Sequence, residues 1–376
     1  PGPLEQDLAL DEGYRGRPHV GAAAMASQIR PDDEFWRRIT QHIKQSQAGV
    51  DVRVVLAGSV FGGTGAAGFP TLARLIRERL KQERIDRNVR IGGPLVLPYF
   101  SFEGPEAEEG PEANVARAEQ LLAQSREALT YYHGLFRPEQ DRVFDELYLV
   151  GWHPPFHFPY HSPGSGEQAN PALLPELVAA MGVCRFLQPG RTFDDDLHNP
   201  VFVSGRAGER SFDWNDLPSP VDRPDAAYQA LGQMLRFAAA WLFWRGEIVE
   251  RRRGFLGIGA SAPSWFRNQG VKAIDFTNAP PSLELDRLSE YARALLTWAA
   301  QIQHYAARQG LDFRLWNLDA LMLPVRSDVR IARQIEVQDR LGEQAYGTAF
   351  DRIVTPRPDA DPLPGAASVL RRLEGE

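Results

Sequence analysis

Apolar residues fall into short unbroken runs separated by longer stretches at helical spacing, and this alternation predicts the elements. From about Pro31 to Gln47, Phe35, Ile39 and Ile43 form one stripe, Pro31 suits a first turn, and Asp32 to Glu34 suit the positive end of a helix dipole. Val52 to Leu56 reads as a buried strand, Gly58 to Gly68 as a glycine-dense loop, and 70–84 as an amphipathic helix. A second strand is expected over Pro94–Phe100, then an acidic turn at Ser101–Pro105, a helix over about 112–135 and a strand at Glu146–Gly151. Asn170 reads as the cap of a helix with Pro171 in its first turn, running to about Leu187. A strand at Val201–Ser204, long helices over about 224–252 and 282–308, and a strand near 318–324 follow. Residues 1–30, with Gly13, Gly16, Pro18 and Gly21, read as loop, and the Pro- and Asp-rich stretch 359–365 as a mobile tail. The alternation α-β-α-β-α-β predicts an α/β fold: a mostly parallel sheet with helices on both faces, followed by a helix-rich α+β region.

The glycine-dense loop carries the most chemistry. Glycines between a strand and a helix let backbone N–H groups approach a ligand with no Cβ in the way. The following helix aims the positive end of its dipole at the same point, which suits an anion, phosphate above all. The same turn is also an ordinary connection between strand and helix. It is not a Walker A loop, since no Lys follows the last glycines, and its spacing is not that of G-x-G-x-x-G.

Composition narrows the classes. The chain has 376 residues, 43% of them hydrophobic and 24% charged, enough for one large or two ordinary domains. A formal net charge of −7 argues against nucleic acid as the main partner. The basic run Arg251–Arg253 suits the end of a helix. No membrane span is expected, because the most apolar stretch, Phe237–Trp244, is short and flanked by Arg236 and Arg245. The single cysteine, Cys184, excludes an internal disulfide, fits a reducing cytoplasm, and reads as a buried inert thiol. His153, His157 and His161 share a helical spacing, but Pro154, Pro155 and Pro159 break that helix, so a surface loop is expected in place of a metal site. Trp241, Phe243 and Trp244 read as core.

Gly62-Gly63-Thr64-Gly65, within the run Gly58–Gly68, resembles the G-G-G-T-G-[ST]-G signature of the tubulin/FtsZ superfamily, in its divergent bacterial tubulin-like branch, with Ala66 where the family has Ser or Thr. Leu97–Gly104 is similar to the Pro-Phe-x-x-Glu-Gly exit of that family's next strand. Asn170–Leu187 is similar to its central helix, and Gly16–Gly21 lies where the family has a loop near the γ-phosphate.

The resemblance implies a Rossmann-like domain that binds GTP or GDP with Mg²⁺, with scope for GTP hydrolysis and head-to-tail filaments. On that basis Gly58, Gly62, Gly63, Thr64 and Gly65 hold the phosphates, Glu103 reaches the ribose, Arg117 supports sugar or phosphate, and Asn170 approaches the base or sugar. The catalytic carboxylates that a neighbouring subunit would contribute are assigned to Asp194, Asp195 and Asp196, with Asn317 and Asp319 as a rival pair. The implied partners are guanine nucleotide and either further copies of the chain or other assembly proteins. Because the family's first strand and first glycine loop are not found upstream, the tubulin-like domain (residues 1–188) is expected to be N-terminally incomplete and to bind nucleotide weakly. Residues 189–355 are assigned to a C-terminal domain and 356–376 to a tail. Two alternatives remain at this stage: a catalytically inactive tubulin-like scaffold, and an unrelated Rossmann-like enzyme for a phosphorylated metabolite.

Overall fold

The computed structural model describes residues 18–28, 30, 33–46, 51–85, 89–102, 118–135, 143–158, 170–190, 201–204, 211–219, 225–245 and 281–318. The chain divides into two compact units, the first comprising 1–169, 174–209 and 217–220, the second 170–173, 210–216 and 221–376.

The first unit contains α1 (Pro18–Gln28), α2 (Glu34–Ser46), β1 (Val52–Val55), β2 (Gly58–Ser59), α3 (Gly63–Gln82), β3 (Val89–Val96), β4 (Phe100–Phe102), α4 (Ala118–Leu135), β5 (Glu146–Val150), β6 (Phe156–Phe158), α5 (Leu174–Phe186) and β7 (Val201–Ser204). The main sheet runs β1-β3-β5-β7 with every pairing parallel, and β2 extends β1 along the same edge of β3. Val55 pairs with Gly92 and Gly58 with Leu95, so β1 and β2 are one strand in unbroken register. The interruption has a simple cause. Leu56 N–H donates to the Gly92 carbonyl at 2.9 Å, but the return bond would have to come from Pro94, which has no N–H.

The expected helices on both faces are present. Val89, Ile91 and Leu95 of β3 face a core built with Phe69, Ala73, Ile76 and Leu80 of α3, Trp36 and Ile43 of α2, and Tyr132 of α4. Gly92 and Tyr148 turn to the other face, where α5 lies. A Cβ on Gly92 would stand 2.6 Å from the Phe186 ring, and one on Gly182 would stand 3.0 Å from Tyr148. At the amino end of the sheet, Asp145 is buried and fully engaged. Its carboxylate accepts from Ile91 N–H at 2.7 Å and pairs with Arg77 at 2.5 Å and Arg90 at 3.4 Å. These bonds tie α3, β3 and β5 together.

Several expectations need correction. Residues 18–28 are helix, not loop. α1 shows no periodic stripe in the sequence, and it packs on α3 where that helix has a glycine: a Cβ on Gly68 would lie 3.1 Å from Met25 Cε. The glycine-dense segment is helical from Gly63, so α3 begins seven residues before Pro70. β3 begins at Val89, before Pro94. α5 begins at Leu174, so Asn170 does not cap it. Leu318 is not in a strand; the last strand described is β9 (Asp312–Phe313), and residues 319–324 lie outside the described residues, as does 359–365.

The second unit contains β8 (Ser211–Phe212), a short turn at Trp214–Asp216, α6 (Ala226–Arg245), α7 (Pro281–Arg308) and β9, with β8 and β9 paired in parallel. Trp241 is buried as expected, its indole N–H donating to Ser289 Oγ at 2.9 Å, while the side chains of Phe243 and Trp244 lie outside the described residues. None of the described helices is long and apolar enough to cross a membrane.

Candidate functional site

The strands of the main sheet are parallel and α3 follows β2 directly, so the start of α3 stands at the carboxyl edge of the sheet. Gly62 is the cap residue, extended at φ −88° and ψ 152°, with no side chain capping the helix. The first hydrogen bond of the helix runs from Ala66 N–H to the Gly62 carbonyl at 3.1 Å. The N–H groups of Gly63, Thr64 and Gly65 therefore have no acceptor in the helix, and none is found among the described residues. Three amides and the positive end of a twenty-residue helix meet at one point.

Two glycines make this geometry possible. A Cβ on Gly65 would lie 2.8 Å from the carbonyl oxygen of Ser59 and 3.0 Å from its nitrogen, and one on Gly62 would lie 3.1 Å from Ser59 Oγ. The first turn of α3 is thus pressed against β2, with the Ser59 hydroxyl beside it. Gly58 plays a different part: it faces Phe69, whose ring would be 3.3 Å from a Cβ there. Thr64 is exposed at the tip of the turn.

An aromatic wall borders the loop. Phe61 meets Tyr99 at 6.0 Å and Phe100 at 5.6 Å, both edge to face. Tyr99 donates its hydroxyl to Glu176 at 2.9 Å, in the first turn of α5. Burial, and then the Glu176 carboxylate, push the Tyr99 phenol well above its ordinary range. β4 and β6 pair beyond this wall, with Phe100 and Phe158 tilted together at 6.3 Å and Ser101 Oγ 3.2 Å from His157 Nδ1.

Of the residues predicted from sequence, Gly62, Gly63, Thr64 and Gly65 are brought together at the turn. Glu103, Arg117, Asp194, Asp195, Asp196 and Asp319 lie outside the described residues, as do His161 and Arg251–Arg253. Asn170 is exposed and belongs to the second compact unit. Cys184, expected to be buried, is exposed: α5 turns Leu174, Leu177, Val178, Gly182 and Phe186 inward and leaves Cys184 on its other side. Ser59, Phe61, Tyr99 and Tyr132 were not singled out from sequence. For Tyr132 a signal existed. Pro70 cannot donate to the Ala66 carbonyl, so another donor had to exist, and it is the Tyr132 hydroxyl.

A parallel α/β unit that presents a glycine-lined helix start at the carboxyl edge of its sheet is a Rossmann-like domain. Within that class, residues 17–166 match the family described as tubulin-like. Neither the curated proteins nor the solved structures compared with the chain contain a match.

Proposed function

We propose that the tubulin-like domain binds the phosphates of a guanine nucleotide at the start of α3. The observation that carries this reading is the set of first-turn amides, Gly63, Thr64 and Gly65, with no acceptor among the described residues and a bare glycine surface around them. Those amides and the hydroxyls of Thr64 and Ser59 are the donors available to phosphate oxygens. Glu103 is assigned to the ribose, Asn170 to the base or sugar and Arg117 to sugar or phosphate, as the family resemblance implies. Mg²⁺ would arrive on the phosphates and neutralise their charge. Among the described residues no cluster of three His, Cys, Asp or Glu side chains could hold a metal alone. Hydrolysis would need carboxylates beside the attacking water, and Asp194, Asp195 and Asp196 are our candidates, acting across a contact between copies in a cytoplasmic filament.

One observation favours a second reading, a tubulin-like scaffold that does not hydrolyse nucleotide. Ala66 is buried and puts a methyl group where the family has a hydroxyl. Titration of GTP, GDP and ATP with Mg²⁺, followed by phosphate release, tests both readings. The first expects preferential guanine binding that is lost in Gly65→Val, whose side chain would strike Ser59, and weakened in Thr64→Val, which leaves the packing intact. Binding without phosphate release selects the scaffold. Unchanged GTP binding in both variants overturns the phosphate assignment.

A further inference from the structure

The three amides that open α3 are not equivalent. Each N–H shares its peptide unit with the carbonyl of the preceding residue, and in a helix that carbonyl accepts from the N–H four residues beyond its own. The amides of Gly63, Thr64 and Gly65 therefore end three separate columns of hydrogen-bonded peptide units. The Gly63 column passes through the carbonyls of Gly62, Gly65 and Gly68, and the Gly65 column through those of Thr64, Ala67 and Pro70; both continue along the helix. The Thr64 column runs from the Gly63 carbonyl through the Ala67 N–H to the Ala66 carbonyl. There the helix can take it no further, because the next donor would be Pro70.

The column is closed from outside the helix. Tyr132 of α4 donates its hydroxyl to the Ala66 carbonyl. Its ring is 2% exposed, in the core with Phe69, Ala73 and Ile76, so the hydroxyl is held in place. At the opposite end of the column Thr64 is exposed. Hydrogen bonds in a chain polarise one another, by roughly 10–30% per bond, so a donor on the far carbonyl makes the terminal amide a stronger donor. The same bond fixes the tilt of the Ala66–Ala67 peptide unit, and through it the direction of the Thr64 N–H. We infer that Tyr132 is a positioning residue for phosphate: its hydroxyl sets the strength and aim of the Thr64 amide through the two peptide units between them. This rests on the nucleotide reading above and extends it to a buried side chain behind the binding turn.

Tyr132→Phe keeps the ring and removes the donor. Pro70→Ala supplies a helical N–H to the same carbonyl, so the double variant Tyr132→Phe/Pro70→Ala rebuilds the column by another route. The full chain is compared in ¹H–¹⁵N spectra without nucleotide and by titration with GTP and Mg²⁺. In Tyr132→Phe the Thr64 amide proton should move upfield while those of Gly63 and Gly65 stay near their parent positions, and GTP affinity should fall roughly two- to fivefold. The double variant should return both the Thr64 signal and the affinity toward parent values. Gly92→Ala, which strains the sheet outside the column, should change neither. An unmoved Thr64 signal, equal shifts of all three amides, unchanged affinity in Tyr132→Phe, or no recovery in the double variant overturns the inference. Should Tyr132→Phe alone fail to fold, Pro70→Ala alone decides: a second donor on the Ala66 carbonyl should move the Thr64 proton downfield, and an unmoved signal ends the case. If the parent chain binds no GTP, this inference falls together with the nucleotide reading. If the parent binds GTP and Tyr132→Phe binds it as tightly, the inference falls alone.

Discussion

Pro70 has no amide hydrogen, so the Ala66 carbonyl one turn earlier loses its helical donor inside a buried segment. The Tyr132 hydroxyl replaces it from α4, which allows α3 to run back through Pro70 to the glycine turn. Tyr132→Phe should leave that carbonyl unpaired and cost about 1–3 kcal/mol, measured by urea unfolding. The same residue sets an alkaline limit. Burial, with a smaller contribution from Tyr131, pushes the Tyr132 phenol up to about 12 from its ordinary value of 10.0. Its protonated form is thus favoured in the folded state. The stability it contributes is complete below about pH 10 and drains away as pH rises toward 12. Tyr132→Phe should flatten stability over that window, read by phenolate absorbance alongside unfolding. Tyr99 and Tyr305, whose phenols are also raised, would supply what slope remains.

At the scale of elements, β3 is the axis of the first unit, and its Gly-Gly-Pro centre is a packing requirement. Gly93 sits at φ +143°, where a side chain is strained, and a Cβ there would meet the Leu56 carbonyl. Gly92 lies 2.6 Å, by its missing Cβ, from both the Phe186 ring and the Glu146 carbonyl oxygen. Gly92→Ala should destabilise by about 1–3 kcal/mol. Adding Phe186→Leu should recover only part of the loss, because the carbonyl cannot give way as a ring can. A thermal-unfolding cycle over the two single variants and the double variant checks this. Asp145 is a second lock beside it, one residue before Glu146, the partner of Gly92 in β5. Asp145→Ala takes the carboxylate away from the partly buried Arg77 and Arg90 guanidinium groups, for an expected loss of about 3–5 kcal/mol in chemical denaturation.

For the whole molecule, the proposed phosphate-binding turn lies wholly within the first unit. GTP at a hundredfold excess over its Kd should stabilise the folded chain by about 2.7 kcal/mol. Differential scanning fluorimetry with GTP should show this rise in the parent chain and none in Gly65→Val. A formal net charge of −7 makes the site's local field more important, since a polyanionic ligand gains nothing from the protein's overall charge.

The parallel α/β class was readable from sequence because buried strands and amphipathic helices leave their periods in the chain, as Val52–Leu56 and the stripe Phe35, Ile39, Ile43 do. The glycine motif was readable because close backbone approach excludes side chains and so marks the residues themselves. α1 left no stripe, and its contact with α3 rests on a glycine of the partner helix, Gly68, which faces Met25. The helical state of Gly63–Phe69 depended on Tyr132, a hydrogen-bond donor sixty-six residues away in the chain. The placing of Ser59, Phe61 and Tyr99 around the turn depended on β2 and β3 lying side by side. Periodicity and composition are local properties of a chain; the partner of an orphaned carbonyl or an exposed amide is fixed only when distant segments meet.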